Sequence, residues 1–228
     1  MYQVSRTLGL IFPDLVRDKI FLLGLVIKLL FIVFFIPEIQ ADWFVSFIVQ
    51  TFENPSIDPW SSYIDSGGTD LAFPYGPVMF LAHLPAIFLG WVVDSLAGVE
   101  YFSGLGFRVG LLIADILILG LLLQHFENRW KGLLIHYWLS PLVLFITYWH
   151  GQTDIVPVAI LLLSISFLKD NEILKGGLLF GCAVAAKHSM LIVFPFVILY
   201  LWFKRGTTGS VYMFLAFSLV CLAAIEGL

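Results

Sequence analysis

What most constrains this chain is a succession of apolar runs too long and too closely spaced for a water-soluble core. Residues 20–36, 109–123, 133–147, 155–168, 176–203 and 211–228 carry almost no charge. A helix needs about 20 apolar residues to cross the hydrocarbon layer. In lipid only helices and closed barrels satisfy their own backbone polar groups. These runs are continuous rather than alternating, so helices are expected. Charged residues make up 12% of the 228, against about 25% in ordinary soluble domains. The fold class that follows is an all-α polytopic membrane protein with about seven transmembrane helices. A net charge of −4 without any basic stripe gives nucleic acid no footing. Cys182 and Cys221 both lie inside apolar runs, where cysteine acts as a small hydrophobe, so neither a disulfide nor thiol chemistry is expected.

The cations set the topology, because Lys and Arg concentrate on the cytoplasmic side. Residues 1–19 hold Arg6, Arg17 and Lys19 with the terminal amine against Asp14 and Asp18, and read as a cytoplasmic lead-in with no cleavable signal. Lys28 interrupts the first span and is read as snorkelling toward an end. Residues 37–72 contain Glu38, Asp42, Glu53, Asp58, Asp65 and Asp70 and no Lys or Arg, so this segment is placed outside, in the periplasm or lumen. Trp43, Phe44, Phe47 and Ile48 within it predict an interfacial helix over 42–49. His125, Arg129 and Lys131 place 124–131 inside, which sends 133–148 outward and 155–168 back. The run 176–203 starts and ends beside cations, so it is expected as two short helices meeting near Lys187-His188. Parity then makes 73–107 a re-entrant or surface hairpin.

Between two of these spans stands Tyr148-Trp149-His150-Gly151-Gln152-Thr153-Asp154. A plain turn seldom combines Trp, His, Gln and Asp at a membrane surface, where polar groups are costly. With this topology Asp42, Tyr75, Arg108, His150, Gln152, Asp154 and Lys187 all fall in the outer half of the membrane. A carboxylate there can take a proton from a hydroxyl as general base. Lysine and arginine can neutralise a departing phosphate. Together they describe group transfer from a lipid-phosphate donor. Each residue also has a plainer reading. Asp42 suits a helix N-cap, Asp58 before Pro59 suits a turn, and Arg108 and Asp115, seven residues apart, share a helix face and can simply hold the bundle together. His83, His125 and His136 lack ligand spacing and are read as structural.

The order of these features resembles the N-terminal module of GT-C glycosyltransferases, polytopic enzymes that use polyprenyl- or dolichyl-phosphate sugars. The residues that carry the resemblance are Asp42 soon after the first span, Phe-Pro-Tyr-Gly-Pro at 73–77, and Pro141 followed by His150-Gly151-Gln152-Thr153-Asp154. The last is a helix from Gly176-Gly177 that carries Lys187 and then Pro195. The resemblance spans 20–205 and points to the enzymes that take mannose or glucose from a monosaccharide phospholipid. It implies Asp42 as the catalytic base of an inverting displacement, with lipid phosphate leaving. It implies Lys187 near the phosphate, Tyr75 and Gln152 orienting sugar or acceptor, and Arg108, His150, Asp154 and His188 in the substrate-binding set. Asp154 matches a second acidic position that holds a metal in the related oligosaccharyltransferases. The carboxylate often found two residues later is Val156 here, so no metal is assigned and a Mg or Mn ion at Asp154 stays only an option.

The implied partners are a polyprenyl-phosphate sugar, a lipid or glycan acceptor and the bilayer itself, in a bacterial inner membrane in preference to endoplasmic reticulum. Such enzymes are usually longer. The chain is therefore read as one module, 1–228, that lacks a C-terminal half or receives those spans from a second subunit. Two other classes compete. A transporter or flippase subunit would use Lys187, Asp115 and Asp154 along a pathway, and a non-catalytic scaffold would use none of them.

Overall fold

A computed structural model describes residues 15–126 and 129–226; residues 1–14 of the lead-in expected over 1–19 lie outside them. All regular structure among the described residues is helical. Four stretches are long and apolar enough to cross a membrane, five if one bent pair is a single span. Multi-pass membrane character therefore holds. Contacts divide the chain into two compact units, 1–74 with 83–153, and 75–82 with 154–228.

The first unit begins with α1, Lys19–Phe34, whose start is fixed by the Asp18 carboxylate accepting from the backbone N–H of Ile20 and Phe21 at 2.7 and 3.2 Å. Asp and Asn are strong caps because they satisfy amides that the helix leaves orphaned. α1 turns by 71° into α2, Ile39–Glu53, which opens on a π-helical turn at Ile39–Val45. A short α3, Pro59–Asp65, follows, capped by Asp58. Next come α4, Pro77–Ala97, and α5, Phe102–His125. They form a helical hairpin in place of the re-entrant one expected over 73–107, because most of the connector expected at 99–106 is helical and continuous with the span at 109–123. Its second arm runs on to His125, and its first arm has 21 residues, about 31 Å, which is enough to cross outright. Parity counting missed this because it weighs charges and not helix length. Asp94 fixes the hairpin turn. It accepts from the amides of Tyr101, Phe102 and Ser103 and from the Ser103 hydroxyl, at 2.6–3.0 Å.

α6, Trp130–Trp149, is broken at Leu139-Ser140 and contains two further π-helical turns, Leu134–Trp138 and Leu144–Trp149. α1 lies antiparallel to α5 and alongside α6. The Trp138 indole donates to the Phe21 carbonyl at 3.0 Å and stacks on the Phe21 ring, while Trp149 meets Phe31 and Phe35 near the other end of α1.

Lys28 does not snorkel. It is wholly enclosed, ion-paired with Asp115 of α5, and its ammonium lies 3.7 Å from the Trp138 ring centroid. Asp115 also accepts from the hydroxyls of Tyr137 and Tyr148 at 2.7 and 2.6 Å. A carboxylate met by three donors at once offsets its own desolvation, which is why a buried charge persists here. Asp115 therefore faces Lys28, and Arg108 turns elsewhere.

In the second unit α7, Ile155–Lys169, and α8, Ile173–Ala186, pack antiparallel, with the Ser164 hydroxyl donating to the Gly176 carbonyl at 2.7 Å. The expected break falls at Lys187, whose φ of −152° and ψ of 116° are extended. A 3₁₀ segment, His188–Val193, leads into α9, Phe194–Glu226. α9 cannot be one rod. The rings of Phe194 and Phe217 are 5.2 Å apart, whereas 23 residues of straight helix would separate them by about 35 Å. The chain doubles back at Gly206, where a φ of 68° is open to glycine and strained for other residues. The long apolar stretch His188–Ala224 is thus two arms, as the separate run at 211–228 leads one to expect.

Candidate functional site

The end of α1 leaves carbonyls without helical partners. Arg108 of α5 supplies them. Its Nη1 donates to the carbonyls of Ile32 and Phe35, the latter at 2.6 Å, and its Nε donates to Gly104 at 3.2 Å. A guanidinium suits this place because it offers five N–H groups in a fixed fork, and a cation favours a helix C-terminus. Arg108 is only 3% exposed, yet its Nη2 has no acceptor among the described residues.

Beside this guanidinium, between the first turns of α2 and the α4–α5 hairpin end, lies a cavity of about 560 Å³. Asp42 and Arg108 both line it, so two of the expected site residues meet here. Asp42 is exposed on the π-helical turn and caps no helix; the residue before α2 is Glu38, and no capping bond reaches Asp42. Its carboxylate is therefore uncommitted. π-Turns inside helices recur at functional sites. Here three of them carry Asp42, Tyr137 and Tyr148.

The acidic rival Asp58 is spent on structure. It accepts from the Ser61 hydroxyl at 2.5 Å and from the amides of Ser61 and Trp60 at 3.2 and 3.1 Å. The Ser61 bonds hold its carboxyl below the usual range.

His150 and Gln152 do not line the cavity. They stand on a loop docked against the connection that precedes Asp42. Gln40 Nε2 donates to the Gly151 carbonyl at 2.9 Å, and a Cβ on Gly151 would come within 2.8 Å of Pro37. Gly151 has a φ of 87°, so the tight turn anticipated at this glycine is real. His150 is exposed with its ring edge-on to Phe145, and the Gln152 amide donates to Ile146 at 3.0 Å. The loop thus stands two residues from Asp42 along the chain through Gln40.

In the second unit Asp154 heads α7 and is ion-paired with Lys187 at the α8 break, their side chains 41% and 31% exposed. A pair this open contributes about 1 kcal/mol or less, so either partner can be drawn away by a ligand. His188 is exposed beside Lys187, and Tyr75 lies partly buried in the segment before α4. Among the described residues no group of three His, Cys, Asp or Glu side chains could hold a metal ion.

Sequence reasoning overlooked several residues of the cavity wall: Glu53, Trp91, Asp94, Glu100 and Tyr101. A signal existed for Asp94 and Glu100. Carboxylates bordering an apolar run are costly and need a reason. No family model, curated protein or solved structure matches the chain, so the site rests on its own geometry.

Proposed function

We propose that the chain is an integral-membrane glycosyltransferase that moves a hexose, mannose or glucose, from a polyprenyl-phosphate donor to a hydroxyl acceptor on the outer face. One observation carries the reading. Asp42 offers an uncommitted carboxylate to the same cavity that the largely buried Arg108 lines. That is the pair an inverting displacement needs. The Asp42 carboxylate takes the proton of the acceptor hydroxyl. The acceptor oxygen bonds to the anomeric carbon from one side while the bond to the phosphate oxygen breaks on the other. The lipid phosphate leaves with the electron pair, and Arg108 stabilises that charge.

The proposal counts about seven crossings, in the manner of a GT-C-like module, with α4 among the helices long enough to cross. The carrier reading is less well supported. Asp115, one of the three residues that would mark its pathway, has no exposed surface and is committed to Lys28.

The test is transfer from radiolabelled polyprenyl-phosphate mannose or glucose in membranes that contain the full chain, with and without chelator. Asp42→Asn is expected to lower transfer by 10²–10⁴-fold, roughly the share of a general base, and to keep donor binding. Transfer equal to wild type in that variant would refute the assignment.

A further inference from the structure

Within the second unit, the turn from α7 to α8 and the Gly206 turn lie at one end. A Cβ on Gly209 would stand 3.5 Å from Ile173 Cδ1 and 2.6 Å from Arg205 Cβ. Four exposed cations gather at this end: Lys169, Lys175, Lys204 and Arg205. Lys175 is paired with Glu172 at 3.1 Å, and Asp170 is the other acid nearby. Three cations against one carboxylate leave a surplus of two positive charges (three less one). Lys204 donates to the Tyr200 hydroxyl at 2.6 Å, while Lys169 and Arg205 have no side-chain hydrogen bond or ion pair among the described residues.

Charge alone would describe a solvated face; the independent observation is what it borders. Phe196, Leu199 and Phe203, at i, i+3 and i+7, share one face of the first arm of α9. All three are exposed, Phe203 by 85%. This stripe covers about 10 Å of helix and runs directly into Lys204 and Arg205. Trp202, also exposed, stands beside them. Aromatic rings next to cations at the end of an apolar helix mark the headgroup layer, with the apolar remainder in hydrocarbon. Whatever occupies the face must be apolar along its length and anionic at one end. A free phosphate lacks the first property, and a zwitterionic phospholipid lacks the second.

We infer that this end of the second unit docks an anionic phospholipid of the bilayer. Its acyl chain lies along Phe196, Leu199 and Phe203, and its headgroup sits against Lys204 and Arg205, with Lys169 adding attraction. Cations concentrate on the cytoplasmic side, and anionic lipids charge the surface of that leaflet. The site is therefore a lipid contact that fixes the depth of the Gly206 turn. It holds whether or not the chain transfers sugar.

The test reads the lipid next to the turn. The full chain carries Cys182→Ala, Cys221→Ala and a fluorophore on Thr208→Cys, an exposed position two residues past Gly206. It is placed in phosphatidylcholine nanodiscs at low salt with a trace of nitroxide-labelled phosphatidylglycerol or phosphatidylcholine, labelled near the headgroup end of an acyl chain. The phosphatidylglycerol probe is expected to quench as if roughly fivefold enriched at the turn. The preference should shrink as salt rises and fall toward parity in the Lys204→Gln/Arg205→Gln double variant. Both side chains are exposed, so that variant should fold. The same fluorophore on Ile57→Cys, in the acidic segment, should show no such preference. Equal quenching by the two probes with Lys204 and Arg205 in place overturns the inference. So does a preference undiminished in the double variant, or one equally strong at Ile57→Cys. Displacement of the phosphatidylglycerol probe by inorganic phosphate at matched ionic strength overturns it too, by assigning the cations to a soluble anion.

Discussion

Among single residues, Lys28 and Asp115 are the most consequential outside the cavity. They bring opposite charges together with no exposed surface, under Tyr137, Trp138 and Tyr148. Removing one partner leaves a naked charge where water cannot follow. Lys28→Met is expected to cost about 3–5 kcal/mol, read as a large fall in the thermal midpoint of the detergent-solubilised protein. Lys28→Met/Asp115→Leu should recover much of that loss, since two apolar groups need no partner. A double variant as unstable as the single one would show that the tyrosines, and not the ion pair, set the cost. Gly151 gives a second test. Alanine there meets both a φ of 87° and the Pro37 side chain. Gly151→Ala should destabilise by roughly 1–3 kcal/mol and disturb the loop beside Asp42, visible as a larger loss of transfer than of stability.

At the level of elements, helix ends explain more of this molecule than helix interiors do. α3 depends on the Asp58 cap, and the Ser61 bonds hold that carboxyl below its ordinary range. With the folded value depressed, the cap contributes fully above the unfolded carboxylate value of about 4 and is lost as pH falls through the lower, folded one. Hydrogen-exchange protection in α3, taken against the intrinsic rate at each pH, should therefore fall at acid pH, and Asp58→Ala should show that lower protection at neutral pH already. Local features of this kind were readable in the chain. Lys187 in an apolar run announced the break that follows α8, and Gly151 announced its turn. What escaped reading depends on partners far along the sequence. Arg108 bonds mainly to backbone carbonyls of α1, which have no side-chain signature. Lys28 finds its carboxylate 87 residues away. Nothing near either residue tells a buried cation from one that reaches for the headgroups.

For the whole molecule, the distribution of charge predicts orientation. Ile57, fully exposed in the acidic segment, should face outward, and Lys204, beside Arg205 at the Gly206 turn, should face inward. In a chain with Cys182 and Cys221 replaced by alanine, Ile57→Cys should react with an impermeant maleimide in intact cells, and Lys204→Cys only after permeabilisation. The reverse pattern would turn the protein over and put the Asp42 cavity on the wrong face. The multi-pass helical character was legible from apolar length, because lipid imposes it directly. The cavity was not, since it arises where α1, α2, α4 and α5 meet and no one run encodes it. The same long-range design governs how the protein is made. Lys28 leaves the ribosome 87 residues ahead of Asp115, which at 5–20 residues per second is roughly 4–17 s. During that interval the first helix waits with an unneutralised ammonium, and it must be sheltered by the insertion machinery or held near the interface. The newborn membrane protein is thus most vulnerable to quality control before its fifth helix arrives, and a substitution at Asp115 would lengthen that exposure indefinitely.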